Sequence, residues 1–269
     1  MMQQDLPTLE QVFASCDAAT VACSGGVDSM TLAFAAHQAM GTRAVIGHAV
    51  SPAVPKAGTQ RVRHYAEREG WNLRVLNAGE FADEQYMANP ANRCFFCKSN
   101  LYGTLTQVFS GTQVFSGTNL DDLGDWRPGL KAAEINAVRH PFVEAGFAKS
   151  DFRALAASFG LDDLAELPSS PCLSSRIETG VRIDVRALGA IDRVETMLRE
   201  HLTPRTIRCR LRKEGVMIEM DPETLGALTQ ADKIDLSERI QAEFTNLASP
   251  KVSFAPYLRG SAFLKETLT

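Results

Sequence analysis

Ser24-Gly25-Gly26-Val27-Asp28-Ser29 is the stretch on which the reading of this chain turns. It directly follows the apolar run Thr20 to Cys23, which reads as a buried strand, and it opens a predicted helix from Asp28 to Met40. A loop in that position aims backbone amides and a helix N-terminus at one anion. Gly25 and Gly26 let a phosphate approach the backbone, and Ser24 and Ser29 add hydroxyl donors. Asp28, in the first helical turn, is placed to hold a magnesium ion that bridges phosphates. A plain glycine turn whose Asp28 complements the helix dipole has the same local pattern, so the surroundings must decide.

Outward from this loop, residues 19 to 164 alternate short apolar runs with amphipathic stretches, the pattern of an α/β fold with a parallel sheet covered by helices on both faces. Strands are predicted at Thr20 to Cys23, Ala44 to His48, Leu73 to Leu76 and Gln113 to Ser116. Helices are predicted near Asp28 to Met40, Lys56 to Glu69, Phe96 to Phe109 and Ser150 to Phe159, with Ser150 as a cap. Gly70, Gly111 and Gly160 each follow a helical stretch, where a left-handed residue is favoured. The rhythm breaks at Leu167 to Pro171, where two prolines stop both helix and central strand. The expected division is therefore 1–167 and 168–269. The second part reads as a small α+β domain: a helix from Val185 to His201, an alternating stretch from Thr206 to Met220 broken at Glu214 and Gly215, helix through Phe244, and a strand near Val252.

Further candidates lie at the strand ends. Gly117-Thr118-Asn119-Leu120-Asp121-Asp122 follows the fourth strand and so reaches the carboxyl edge of the sheet, where ligands of open α/β sheets bind. Thr118 and Asn119 are candidates for the nucleotide, although a turn and helix cap would use the same residues. Lys149 and Arg153 open a later helix and could neutralise phosphate charge. His48 ends the second strand at the same edge. Of six cysteines, Cys94 and Cys97 form a CxxC flanked by Arg93 and Lys98, a spacing at which two thiolates reach one metal or sit in a zinc knuckle or as buried thiols. Cys172, in Pro168-Ser-Ser-Pro-Cys-Leu-Ser-Ser-Arg176, offers a third thiol. Cys16, Cys23 and Cys209 read as core residues.

Composition removes several classes. With 45% hydrophobic and 22% charged residues the chain is not disordered, and 28 Lys and Arg against 32 Asp and Glu give a net charge of -4, so no global basic field draws in nucleic acid. No apolar run has the length of a membrane span, and the first residues lack a signal-peptide pattern; no membrane association and a cytoplasmic location are expected.

SGGVDS after the first strand resembles the pyrophosphate loop of the N-type ATP pyrophosphatase (PP-loop) superfamily, and no Walker-type GxxxxGK[ST] occurs in the sequence. Along nearly its whole length the chain resembles the LarE family of ATP-dependent sulfur transferases. The resemblance is carried by SGGVDS, Asn89 to Lys98 (NPANRCFFCK), GTNLDD, Asp125 to Gly129 (DWRPG), Val138 to Phe142 (VRHPF) with Lys149, and PCLSSR. It implies adenylylation of a carboxylate of pyridinium-3,5-biscarboxylic acid mononucleotide by ATP with Mg2+, then conversion to a thiocarboxylate in nickel-pincer nucleotide cofactor synthesis. Cys172 matches the family's sulfur-carrying cysteine. The CxxC makes this sequence similar to members that hold a 4Fe-4S cluster on three cysteines, here Cys94, Cys97 and Cys172, with sulfide or another sulfur donor reloading it. Arg208 and Arg210 fall where the family has paired arginines for the substrate phosphate, and their spacing puts both on one face of a strand. The resemblance also implies a homo-oligomer, since family members form hexamers. The chain departs from the family at Val216 to Glu219 (VMIE) and at Tyr257 to Ser261.

Two rival readings remain at this stage. One is an iron–sulfur tRNA thiolase, which shares the loop and three cysteines, although an acidic chain without further CxxC pairs speaks against it. The other is a non-catalytic nucleotide-binding protein with a structural zinc.

Overall fold

The computed structural model describes residues 6–124, 127–168, 171–245 and 250–264. Asp125 and Trp126 of the DWRPG motif, and Ser169 and Ser170 of the proline-rich stretch, lie outside the described residues. The chain divides into two compact units, Met1–Asp83 with Asn92–Pro171, and Glu84–Ala91 with Cys172–Thr269.

The first unit is built on a parallel sheet of β1 (Ala19–Ala22), β2 (Ala44–Ala49), β3 (Asn72–Leu76) and β4 (Gln113–Ser116), in the order β3-β2-β1-β4. β1 is buried along its whole length, as the inner strand of a sheet covered on both faces must be. Its one hydroxyl, on Thr20, is satisfied by Thr112 at 2.7 Å. The Val27–Met40 helix is apolar on nearly all sides and buries ten of its residues, which makes it a core helix. Met30, Leu32, Phe34 and Ala36 pack in one cluster with Val21, Ile46, Tyr65, Phe115, Phe142 and Phe152. A smaller cluster joins Tyr102 and Leu105 of the Arg93–Val108 helix to Val114, Ala132 and Val138. Two expectations need correction. The helix Lys149–Ser158 is preceded by Ala148, whose N–H is taken by Asp151 at 2.7 Å, so Ser150 lies inside the first turn and is not the cap. Cys23 follows β1 as a buried residue whose N–H pairs with Gly47 at 2.9 Å.

The second unit is a three-stranded mixed sheet, β5 (Ile207–Arg212), β6 (Gly215–Met220) and β7 (Val252–Pro256), with β5 antiparallel and β7 parallel to β6. The hairpin turns at Lys213 and Glu214 because Gly215, at φ +137°, takes a conformation side chains rarely adopt, and a Cβ there would meet the Lys251 carbonyl oxygen at 2.4 Å. The Val185–Leu202 helix, capped by Asp184, packs on β5 and buries Leu188, Ile191, Val194 and Leu198. Segment Glu84–Ala91 belongs to this unit through Asn89. That residue is fully buried at φ +55°, and its amide nitrogen donates to the carbonyls of Glu178 and Val181, each at 2.8 Å. No helix among the described residues is long and apolar enough to cross a membrane.

Candidate functional site

The SGGVDS loop crosses from β1 to the Val27–Met40 helix and is tied together by its serines. Ser29 Oγ accepts the Ser24 N–H at 3.0 Å, lies 3.1 Å from Ser24 Oγ and donates to the Gly26 carbonyl at 3.1 Å. Gly25 stands at φ +84°, and a Cβ there would lie 2.5 Å from the Gly58 carbonyl oxygen, so only glycine fits. Gly26 precedes the helix without a side-chain cap, which leaves the first amides of the helix for another acceptor. Gly117 brings the GTN segment against this turn: a Cβ on Gly117 would be 2.9 Å from the Asp28 carbonyl carbon. The two loops therefore meet in one unit.

Around that meeting point the charges are matched. Burial, and then the nearby Asp122 carboxylate, push the Asp28 carboxyl above the ordinary aspartate value, while Lys149 and Arg153 pull it back. Asp122 is itself buried and lies 2.7 Å from Arg127 Nη2 and 3.6 Å from the Lys149 ammonium, whose side chain is 45% exposed. Asn119 is wholly buried. Its oxygen accepts the Asp121 N–H at 3.1 Å and its nitrogen donates to Asp122 at 3.1 Å, which holds the Asp122 carboxylate in place. Thr118 is half-buried, and its hydroxyl lies 3.1 Å from Ser116 Oγ. Arg153 turns the other way and donates to the carbonyls of Ala165 and Leu167, bracing the end of the unit. His48 is fully buried, 2.8 Å from the Cys23 carbonyl and 3.0 Å from Thr59, and burial lowers its pKa; it supports the loop from beneath instead of lining the site.

The CxxC opens the Arg93–Val108 helix, where residues three apart share a face, and both thiols are half-buried. Lys98 follows them. Interaction with Tyr102, and then with Cys97 and Cys94, raises Lys98 above the usual lysine value in spite of burial. Gly129 packs on this helix, with a hypothetical Cβ 3.0 Å from Lys98 Cγ, which joins the described end of the DWRPG motif to the CxxC.

In the second unit Cys172 caps a short 3-10 turn, Leu173–Arg176. Its carbonyl accepts from the Ser175 amide at 3.0 Å, the Ser175 hydroxyl at 2.7 Å and Arg176 Nη1 at 3.2 Å. The guanidinium of Arg176 is buried in a bidentate pair with Glu195 at 2.9 and 3.0 Å. Burial alone would raise the Glu195 carboxyl, but Arg176, Arg199 and the Cys209 N–H hold it below the usual value. Arg208 and Arg210 do share a strand face, yet they differ in environment. Arg210 is 4% exposed and spends its guanidinium on Glu219 at 3.1 Å, the Ser175 carbonyl at 3.0 Å and the Leu258 carbonyl at 3.4 Å. Arg210 thus has a structural part in holding Glu219 and two carbonyls within this unit. Arg208 is half-buried over the Tyr257 ring, with burial lowering its pKa.

Within each unit, no three described His, Cys, Asp or Glu side chains gather into a metal-binding group. The first unit offers the thiols of Cys94 and Cys97, the second that of Cys172, and no disulfide joins any of the six cysteines. A cleft of about 520 Å³ in the second unit contains none of the expected residues. Its carboxylates are already engaged: Asp221 caps a helix, Asp232 completes the capping box of Thr229, Glu223 pairs with Arg205 and Asp235 lies 3.6 Å from Arg239. One loop residue had no signal in the sequence: Arg61, from the Lys56–Glu69 helix, donates to the Gly25 carbonyl at 2.6 Å.

No family model matches the chain. It is 35% identical over 244 residues to an uncharacterized protein of Synechocystis, covering 90% of each chain. An uncharacterized protein of Methanocaldococcus jannaschii is 26% identical over 80% of this chain and 82% of its own. A Lactiplantibacillus plantarum protein named pyridinium-3,5-bisthiocarboxylic acid mononucleotide synthase is 26% identical over 93% of this chain and 90% of its own. These similarities run nearly end to end and take in both units, so the chain belongs to one family with the Synechocystis protein, and its similarity to the named synthase agrees with the order of motifs from SGGVDS to PCLSSR.

Proposed function

We propose that the protein is an ATP-dependent sulfur transferase in the synthesis of pyridinium-3,5-bisthiocarboxylic acid mononucleotide. The coarser part of this reading, an enzyme of that synthesis, is supported by near full-length similarity to the named synthase. The finer part rests on one observation above all: the SGGVDS loop, the GTN segment and Lys149 surround two acidic side chains, Asp28 and Asp122, at the carboxyl end of a parallel sheet.

In this reading the uncapped amides after Gly26 and the hydroxyls of Ser24, Ser29 and Thr118 hold the phosphates of ATP. Lys149 neutralises one of them. Asp28 costs free energy as a carboxylate beside Asp122, and it would hold a magnesium ion that removes this cost and offsets phosphate charge. A carboxylate oxygen of the mononucleotide attacks the α-phosphorus, pyrophosphate leaves, and sulfur then displaces AMP from the activated carbonyl carbon.

Cys94, Cys97 and Cys172 are the proposed holders of a 4Fe-4S cluster. Three half-buried thiols outside any disulfide are a donor set that suits such a cluster. When bound to these three thiolates, the cluster would supply sulfide-level sulfur for the transfer. Arg208 and Arg210 are the proposed residues for the substrate phosphate, Arg208 the less engaged of the two. Iron and acid-labile sulfide in anaerobically purified protein test this part, and stoichiometric zinc alone would refute it.

A further inference from the structure

The described contacts of the first unit contain a hydrogen-bond path that the nucleotide reading does not use. His140 Nδ1 lies 2.7 Å from Ser116 Oγ, and Ser116 Oγ lies 3.1 Å from Thr118 Oγ1. Ser116 is buried at the end of β4, so its hydroxyl has these two side chains as neighbours and little water. Thr118 ends the path beside Gly117, whose backbone rests against Asp28 and Ser29 of the phosphate loop.

A chain of two hydroxyls and one imidazole nitrogen has a direction. If Nδ1 carries hydrogen, it donates to Ser116, Ser116 donates to Thr118, and the Thr118 hydrogen is left to donate outward. If Nδ1 is bare, Ser116 donates to it, Thr118 donates to Ser116, and only lone pairs face the site. An anion requires the first arrangement. A protonated ring donates from both nitrogens and enforces it.

We propose that His140 is a positioning residue that sets, through Ser116, the direction in which Thr118 donates, and thereby makes anion affinity at the phosphate loop depend on pH. The proposal rests on reading that loop as the nucleotide site. The ring titrates among three charged neighbours: Glu144 on its own short helix, Lys98 on the CxxC helix and Asp122 behind the GTN segment. Burial is the largest influence and lowers its pKa, with Lys98 adding to this and the two carboxylates opposing it. At neutral pH the imidazole is therefore uncharged and both hydrogen-bond directions compete. As pH falls through the histidine value, the donating direction wins and anion affinity rises.

Calorimetric titration of the full chain with ATP and magnesium, and separately with inorganic pyrophosphate, tests this between about pH 5.5 and 8. Both ligands titrate in this range, so the informative quantity is the difference between wild-type and variant profiles. The wild type should gain about threefold to tenfold in affinity over a variant without the relay as pH falls, one hydrogen bond's worth. His140→Asn, whose amide can donate or accept without titrating, should show no extra gain as pH falls. His140→Phe and Ser116→Ala should bind weakly and show none either, with circular dichroism establishing that each is folded. Equal affinities and profiles for wild type, His140→Phe and Ser116→Ala would overturn the relay and leave the nucleotide site standing. Failure of the wild type to bind either ligand would overturn both.

Discussion

Gly117 and Asp28 are in such close backbone contact that a Cβ on Gly117 would stand 2.9 Å from the Asp28 carbonyl carbon and 2.9 Å from the Ser29 nitrogen. Two motifs 89 positions apart in sequence are thereby locked into one surface. Gly117→Ala must push the GTN segment off the start of the helix, at a cost of about 1 to 3 kcal/mol. The expected outcome is a lower denaturation midpoint and weaker ATP binding; unchanged values for both would mean that the loops do not act together.

Asp28 links function to stability with opposite signs. Because burial and Asp122 raise its pKa in the folded state, its contribution to stability is fully present below the ordinary aspartate value and is lost as pH rises through the raised one. Asp28→Asn should therefore be more stable than wild type at neutral pH in the absence of ligand, and should release no pyrophosphate. Denaturant midpoints across pH together with a pyrophosphate assay check both halves. A variant that is less stable at neutral pH yet fully active contradicts the assignment.

Much of the first unit was legible because its signals are local. The apolar runs at β1 and β4 and the glycines around them mark strand ends in the sequence itself, and the predicted strands fall within a residue of those observed. Ser150 misled because it resembles a cap, whereas the helix start is fixed by Asp151 reaching back to Ala148. Arg210 hid its partners for a different reason. Its partner Glu219 is set by the β5–β6 register and its carbonyl partners Ser175 and Leu258 by distant chain, none of which the spacing of Arg208 and Arg210 reveals. Arg61 had no motif to announce it, and the membership of Glu84–Ala91 in the second unit depends on Asn89 finding carbonyls about 90 residues away.

Arg210→Ala now has a structural consequence. It leaves Glu219 buried with only Arg212 and Ser261 as partners, and should cost about 3 kcal/mol, the low end for breaking a buried pair. Chemical denaturation measures this. A stable variant that has lost affinity for the mononucleotide would instead leave Arg210 to the substrate site alone.

Arg61→Ala should free the Gly25 carbonyl and loosen the phosphate loop while leaving the packed sheet intact. The loss of one charge-assisted hydrogen bond predicts nucleotide binding weaker by about 1.5 to 3 kcal/mol if the loop geometry depends on it. Nucleotide titration of the variant reads this directly, and an unchanged dissociation constant would reduce Arg61 to a surface contact.

The central claim is sulfur transfer to an adenylylated carboxylate, and mass spectrometry of the acceptor tests it most directly. Anaerobically purified protein incubated with ATP, magnesium, sulfide and pyridinium-3,5-biscarboxylic acid mononucleotide should exchange carboxylate oxygen for sulfur in the mononucleotide and release pyrophosphate in step. Cys172→Ala should yield no such product. An unaltered mononucleotide with iron-loaded wild-type protein, or sulfur appearing in bulk tRNA under the same conditions, would contradict the account.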